Sequence, residues 1–218
     1  MSRTGMRRRA ALRYGAVAFV VMALAQIAVP LTEDRSTLTT VVVVAFAVTT
    51  TALAAAVWGW RRSLATAAVI VVLTTVLEWV GTTTGLPFGD YRYTGVLQPT
   101  VAGVPLAVTL AWLAMSVPAR EVAARLSSTA WQRVLIGAVA LTAWDVMLDP
   151  QMVEDGYWVW EGGGPWRDVP LSNYAGWLVA SAGIMGLLEL LLPAQRRSRP
   201  LLGLYSWWAV MQTLGFLV

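Results

Sequence analysis

The sequence predicts an all-α protein, a polytopic bundle of seven transmembrane helices. Apolar residues make up 57% of its 218 residues, and the mean hydropathy is +0.62. A soluble domain of this size could not bury that much apolar surface. The apolar residues also fall into seven runs, and roughly 20 such residues cross about 30 Å of hydrocarbon as a helix. We therefore expect one transmembrane helical domain over residues 1–218.

The seven runs give the expected boundaries of the helices. The first has a basic start like a secretory signal, but its apolar stretch is long and no small-x-small cleavage site precedes Thr32. We therefore expect it to remain as the first helix. The predicted spans are about 13–31, 38–60, 64–84, 101–118, 131–149, 174–193 and 200–218.

The arginines predict the orientation of the bundle. All sixteen basic residues are arginine, and thirteen of them lie at the N-terminus or in alternate connections. This bias predicts a cytoplasmic N-terminus and an outer C-terminus, in a multi-pass protein of the cell (cytoplasmic) membrane. Because the arginines do not form one patch, no nucleic-acid partner is expected. The thirteen are Arg3, Arg7, Arg8, Arg9, Arg13, Arg61, Arg62, Arg120, Arg125, Arg133, Arg196, Arg197 and Arg199.

Three residue types are absent, which excludes several chemistries. The chain has no Cys and no His, so thiolate nucleophiles, iron–sulfur ligands and the usual neutral-pH base are missing. It also has no Lys, so a retinal Schiff base cannot form. Carboxylates, tyrosines and water are the acid–base groups that remain.

Three acids inside the apolar runs mark the candidate site. Glu78 lies sixteen residues beyond Arg62, or roughly 24 Å along a helix, and Asp145 twelve beyond Arg133, or roughly 18 Å. Both therefore belong in the outer half of the membrane, with Asp149 one turn above Asp145. Intramembrane acids usually face a bundle interior or a water-filled cavity. We expect a polar chamber there.

Two long outer connections lie above this chamber. Residues 85–100 and 150–173 combine Gly and Pro with aromatic residues, so they turn sharply yet carry large rigid side chains. Such loops can fold over a site as a lid, or they can form an interfacial aromatic belt. The sequence leaves both interpretations open.

Structural roles are also possible for several polar residues. Asp149 and Pro150 could end helix five, and Asp145 could pair with Arg92 or Arg167. Asn173 is expected to cap helix six, with Pro170 fixing its approach.

Glu189 is not expected in the site. It lies towards the cytoplasmic end of helix six, where its side chain can extend to Arg196 and Arg197.

These residues fit alkene protonation. A buried acid that keeps its proton can donate it to an alkene, and aromatic faces stabilise the resulting cation by about 0.5–2 kcal/mol each. Nine aromatic residues fall close to the predicted chamber, although each could instead belong to a belt or to packing. They are Trp79, Tyr91, Tyr93, Trp144, Trp158, Trp160, Trp166, Tyr174 and Trp177.

The motifs around these residues resemble a known family. Glu78-Trp79-Val80-Gly81 is followed by residues 85–93, GLPFGDYRY. Further along come Val104-Pro105, Trp112, Asp145, Asp149-Pro150, Trp158, Trp160, Pro170, Asn173 and Gly176-Trp177. Together they resemble the membrane carotenoid-biosynthesis family that includes the bisanhydrobacterioruberin hydratase of haloarchaea and the bacterial carotenoid 1,2-hydratases. The resemblance covers roughly residues 74–190.

The resemblance implies a cofactor-free hydratase without a metal. It would add water to the terminal isopropylidene double bond of an acyclic or monocyclic carotenoid taken from the bilayer. Asp145 is expected to donate the proton and Glu78 to activate water, although these two roles could be exchanged. Asp149 is expected to tune this proton transfer or to relay the proton. The residues expected to bind substrate are Trp79, Phe88, Tyr91, Tyr93, Trp144, Trp158, Trp160, Asn173 and Trp177.

Other functions stay open at this stage. Carotenoid cyclisation also begins with alkene protonation. Asp145 and Asp149 have the DxxxD spacing that could hold magnesium and a diphosphate in an intramembrane prenyl-transferring enzyme. A lipid carrier or transporter is the non-enzyme alternative. The oligomeric state is not predicted.

Overall fold

The computed structural model describes residues 3–193 and 197–217, and its architecture is a bundle of α-helices. Within these residues there are seven long helices, a short 3₁₀ turn at Val29–Leu31 and four short strands. The helices are α1 Arg3–Ala28, α2 Arg35–Trp58, α3 Trp60–Thr84, α4 Leu106–Leu126, α5 Ala130–Glu154, α6 Leu171–Leu191 and α7 Arg199–Leu217. The strands are β1 Tyr91–Tyr93, β2 Thr100–Val101, β3 Val104–Pro105 and β4 Trp158–Trp160.

The helix lengths confirm the all-α membrane prediction. In the described part of the chain, six segments are long and apolar enough to cross a membrane: α1 with its 3₁₀ turn, and α2 to α6. The crossing by α7 and the orientation of the termini stay predictions. Several boundaries differ from expectation. Helix α1 begins ten residues earlier than predicted, α4 begins five residues later and ends eight residues later, and α5 continues past Asp149 to Glu154.

Helix α4 forms the centre of the bundle. Every residue from Trp112 to Glu121 is buried, and the helix contacts α2, α3, α5, α6 and α7. A helix that is apolar on all sides can be surrounded in this way. The site therefore has α4 as its inner wall, with residues of α3, α5 and α6 around it.

Two helices contain an internal proline, and each proline frees a backbone carbonyl. Pro118 in α4 cannot donate to Ala114, and Pro150 in α5 cannot donate to Val146. Both carbonyls have another donor: Thr50 Oγ1 lies 2.9 Å from the oxygen of Ala114, and Trp166 Nε1 lies 3.3 Å from that of Val146. Neighbouring donors of this kind let a membrane helix continue through proline.

The expectation that Asp149 and Pro150 could end helix five is therefore wrong. Pro150 lies inside α5, and the helix ends four residues later at Glu154. The carbonyl of Val146 receives its hydrogen bond from the loop that follows, so the helix needs no break.

Strands β1 and β4 join the two long loops to each other. They pair antiparallel, with Tyr91 opposite Trp160 and Tyr93 opposite Trp158. The ring centroids of these pairs are 5.8 and 6.0 Å apart, within the range of favourable aromatic contacts. The loops therefore form one structure, which we term the roof: residues 85–105 and 155–170.

An ionic cluster lies at the end of the bundle opposite the roof. Glu189 is 3.0 Å from Arg120 Nε and also pairs with Arg133, and the three side chains are at most 10% exposed. Arg120 also donates to the carbonyl of Leu192 at 2.8 Å. The ions are thus compensated within the bundle.

This cluster corrects two expectations. Arg120 and Arg133 lie inside α4 and α5, not in a cytoplasmic connection, and Glu189 pairs with them. The pairing expected for Glu189 with Arg197 is not the one observed, and Arg196 lies outside the described residues. The central helix brings Arg120 into contact with Glu189.

Candidate active site

Glu78 is held by three neutral donors inside the bundle. Its side chain is 5% exposed. The Tyr91 and Tyr93 hydroxyls donate to Oε2 at 2.5 and 2.7 Å, and the Trp112 indole donates to Oε1 at 2.7 Å. Donors to both oxygens favour a carboxylate that is ionised, and hydrogen bonds to charged groups are the strong ones. The geometry therefore suits a fixed anion.

Both tyrosines reach Glu78 because β1 has a two-residue period. Tyr91 and Tyr93 alternate with exposed Arg92, so their side chains point to the same face of the strand. Burial, and then the charge of Glu78, raise the pKa of both phenols far above the usual range. The phenols thus remain protonated and keep donating.

Asp145 and Asp149 form a second acidic group on the α5 side. Asn173 Nδ2 is 3.2 Å from Asp145 Oδ2 and also donates to Asp149 Oδ2. Both carboxyls therefore accept from one carboxamide, which holds them together on the α5 side of the bundle.

Asn173 is not the cap of helix six, contrary to the expectation from sequence. Pro170 occupies the N-cap position, and Asn173 lies in the first turn of α6. Its backbone N–H donates to the carbonyl of Pro170 at 3.1 Å. The side-chain amide is therefore available for Asp145 and Asp149, where two buried acceptors need a donor.

One cavity of about 50 Å³ brings these groups together. It has room for a small number of water molecules, since one water needs roughly 10–15 Å³. Its walls are almost entirely aromatic or aliphatic, with two carboxyls and one carboxamide among them. The lining residues are Glu78, Phe88, Tyr91, Tyr93, Val108, Ala111, Trp112, Trp144, Leu148, Asp149, Trp158, Trp160, Asn173 and Trp177.

Stacked indoles form part of the wall. Trp112 and Trp177 lie with ring centroids 3.7 Å apart and planes 10° from parallel, which joins α4 to α6. Trp144 meets Trp177 edge-on at 6.4 Å. Such faces carry negative charge density and attract cations. A positive charge formed in this cavity would thus be surrounded by π-systems.

Most of the residues expected to bind substrate lie around this cavity, and two expected site residues lie elsewhere. Trp79 is 48% exposed on the outside of α3. Asp145 is fully buried behind Asp149, and its Oδ1 has no hydrogen-bond partner within the described ranges. Asp149 is thus the member of the acidic pair that faces the cavity.

Trp112 is the main residue that the sequence did not assign to the site. It supplies the third donor to Glu78 and stacks on Trp177. It is one of the residues that carry the family resemblance, but nothing in the composition of α4 marks an indole as a hydrogen-bond donor. Its contact with Glu78 depends on packing between helices.

Comparison with known proteins supports the assignment to a family. The sequence matches the family described as "Carotenoid biosynthesis protein" over residues 15–213. It is 28% identical over 127 residues to the bisanhydrobacterioruberin hydratase of Haloarcula japonica, an alignment that covers 56% of this chain and 43% of that protein. The chain thus spans less than half of that relative. No solved structure matches. The chain belongs to the family of carotenoid biosynthesis proteins.

Proposed function

We propose that this protein is a carotenoid hydratase, which adds water to the terminal isopropylidene double bond of an acyclic carotenoid end. The observation that carries the proposal is that Glu78 and Asp149 line the same aromatic cavity. One carboxyl is held by three neutral donors, and the other lies beside Asp145, with the Asn173 amide on both. In this proposal Asp145 and Asp149 share one proton. Two acids in different environments can divide the roles of base and acid.

The reaction begins with proton transfer to the alkene. The Asp145–Asp149 pair gives its proton to the CH carbon of the double bond, which leaves a tertiary cation on the carbon that bears the two methyl groups. Asp149 is the member that contacts substrate, and Asp145 supports it from behind. The indoles of Trp112, Trp158 and Trp177 stabilise the cation through their faces.

Water capture completes the addition. A water oxygen bonds to the cationic carbon while Glu78 accepts one of its protons. The product is a tertiary alcohol, and return of the proton from Glu78 to the Asp145–Asp149 pair restores the enzyme. No redox change occurs, so atoms and charges balance with alkene and water as the reactants.

Expression in a lycopene-producing bacterium tests the proposal. The protein should give a pigment heavier by the mass of one water per reacted end. Glu78→Gln and Asp149→Asn should each abolish this product, whereas Glu154→Gln, an exposed carboxylate at the end of α5, should keep it. Membrane levels of all variants are measured in parallel.

Asp145→Asn should lower turnover strongly but keep more activity than Asp149→Asn, because Asp145 does not line the cavity. If Asp145→Asn lost more activity than Asp149→Asn, Asp145 would be the proton donor. Normal hydration by both Glu78→Gln and Asp149→Asn would end the proposal.

The same assay separates the alternatives. A product of unchanged mass with altered retention indicates a cyclase, and no product favours a carrier. Chelation by EDTA should leave hydration unchanged, because Asn173 occupies acceptor positions on Asp145 and Asp149. Inhibition by EDTA that magnesium reverses would favour a prenyl-transferring enzyme.

A further inference from the structure

The side chain of Phe88 lies between helices α3 and α6, where the helices themselves have only glycine. It belongs to the turn after α3 and is 2% exposed. A side-chain carbon at Gly81 of α3 would lie 3.0 Å from one edge of its ring, and one at Gly176 of α6 would lie 3.0 Å from the opposite edge. The ring is thus held between two glycines, at the cavity that it lines.

The ring is also surrounded by three other aromatic side chains. The centroids of Tyr91, Trp112 and Trp177 lie 6.2, 6.5 and 6.5 Å from that of Phe88. This space therefore suits a flat apolar group, and the faces of the surrounding rings would also attract a cation. A carotenoid end is too large for the present cavity of about 50 Å³, but the space of the ring adjoins it.

The backbone at Phe88 is fixed by two hydrogen bonds, so an opening at this position has to come from the side chain. Trp160 Nε1 donates to the Phe88 carbonyl at 3.2 Å, and Gly89 N donates to Gly85 O at 2.7 Å. Movement about the side-chain torsions would therefore open the cavity without loss of the roof.

The outer side of this position is apolar. Leu86, two residues before Phe88, is 70% exposed, and Leu171, the first residue of α6, is 66% exposed. Helices α3 and α6 make few direct contacts with each other. A lipid-soluble chain therefore meets an apolar surface and a single loop side chain there, instead of a packed helix pair.

The geometry points to Phe88 as a gate: the end of a lipid-soluble polyene enters between α3 and α6 by displacing the Phe88 ring from between Gly81 and Gly176. The identification of this polyene as a carotenoid rests on the proposed function. The gate makes Phe88 a residue that determines access and therefore substrate size, in addition to the acids that act on the alkene.

Cysteine labelling tests the gate without turnover. The chain has no Cys, so Ala111→Cys places one thiol in the cavity wall. The protein is reconstituted in phosphatidylcholine nanodiscs and labelled with apolar N-phenylmaleimide or with a sulfonated, charged maleimide. Phe88→Ala should raise the rate for the apolar reagent about tenfold, the effect of about 1.4 kcal/mol on an opening equilibrium, and leave the charged reagent slow.

Phe46→Ala is the matched control. Phe46 is 1% exposed and stacks on Trp208 at 4.3 Å, so the same truncation removes a buried ring that does not line the cavity. It should change neither rate. If Phe88→Ala fails to fold, Phe88→Leu gives a smaller change in the same direction.

Three results would overturn the gate: no change with the Phe88 variants, equal acceleration of both reagents, or the same effect from Phe46→Ala. Labelling needs no substrate, so its outcome is separate from that of the hydration assay. A protein that hydrates no carotenoid yet shows the expected labelling would refute the proposed function and keep the gate.

Discussion

The indole N–H of Trp112 donates to Oε1 of Glu78 at 2.7 Å, which joins α3 to α4 within the bundle. Trp112→Phe keeps the aromatic ring and removes this donor. We expect a loss of about 1–3 kcal/mol in stability, because a buried charged acceptor loses a partner. Thermal unfolding in detergent measures the effect.

Trp208→Phe is the control for this substitution. Trp208 is also buried, but its Nε1 has no hydrogen-bond partner among residues 3–193 and 197–217. The control should therefore shift the unfolding temperature much less. Equal shifts would mean that loss of indole volume, and not loss of the hydrogen bond, explains the result.

The phenols of Tyr91 and Tyr93 both donate to the same oxygen of Glu78. Tyr91→Phe and Tyr93→Phe should each lower kcat by about tenfold or more, since a hydrogen bond to a charged group contributes about 1.5–3 kcal/mol. Pigment conversion in membranes gives the rate. Tyr205→Phe, which loses a hydrogen bond to Ala140 O in another part of the bundle, should leave it unchanged.

Asn173 connects α6 to the acidic pair of α5. Asn173→Leu removes the donor to Asp145 and Asp149 while it keeps a similar volume, so the two carboxyls lose the amide that positions them. Hydration should fall by about a hundredfold, the scale of loss when a catalytic group is misplaced.

Gln151→Leu provides the comparison for Asn173. Gln151 is another carboxamide on the bundle side of α5, with Met147 O and Gln212 as partners. This variant should retain hydration, although some stability is lost. Similar losses of activity from both variants would assign Asn173 a structural role only.

A substitution in the ionic cluster, at the end of the bundle opposite the roof, should change stability and leave the rate of hydration unchanged. Glu189→Gln leaves Arg120 and Arg133 buried without their anion, which should destabilise the protein by about 3–5 kcal/mol. Below its unfolding temperature the variant should hydrate substrate at the normal rate. A lower kcat in fully folded variant would contradict this separation.

The exposed ion pair of Arg35 and Asp155 is the control for the buried ion pairs of Glu189. Arg35 is 51% exposed, and ion pairs between exposed side chains contribute little to stability. Asp155→Asn should therefore change the unfolding temperature little compared with Glu189→Gln.

The positions of Glu78 and the acids of α5 were predictable because a helix has a fixed rise and period. Counting from the arginines predicts Glu78 and Asp145 in the outer half of the membrane, and the structure brings Glu78 and Asp149 to one cavity. The strands were not predicted. Tyr91 and Tyr93, like Trp158 and Trp160, alternate with other residues, but three residues are too few for the period to stand out.

The remaining differences have one physical cause, which is competition from long-range partners. Asn173 has the local preference of a cap, yet two buried carboxyls compete for its amide. Glu189 has arginines close by in sequence, yet it pairs with Arg120 of the central helix. Local propensity carries no information about such partners, so their choice becomes visible only in the folded bundle.

The prolines inside α4 and α5 give the bundle an order of assembly. Ala114 depends on the hydroxyl of Thr50, which the ribosome makes sixty-four residues earlier, so its partner is already in the bilayer when α4 arrives. Val146 depends on the indole of Trp166, made twenty residues later. The fifth helix therefore reaches its final form only after the following segment has been synthesised and has turned back onto it.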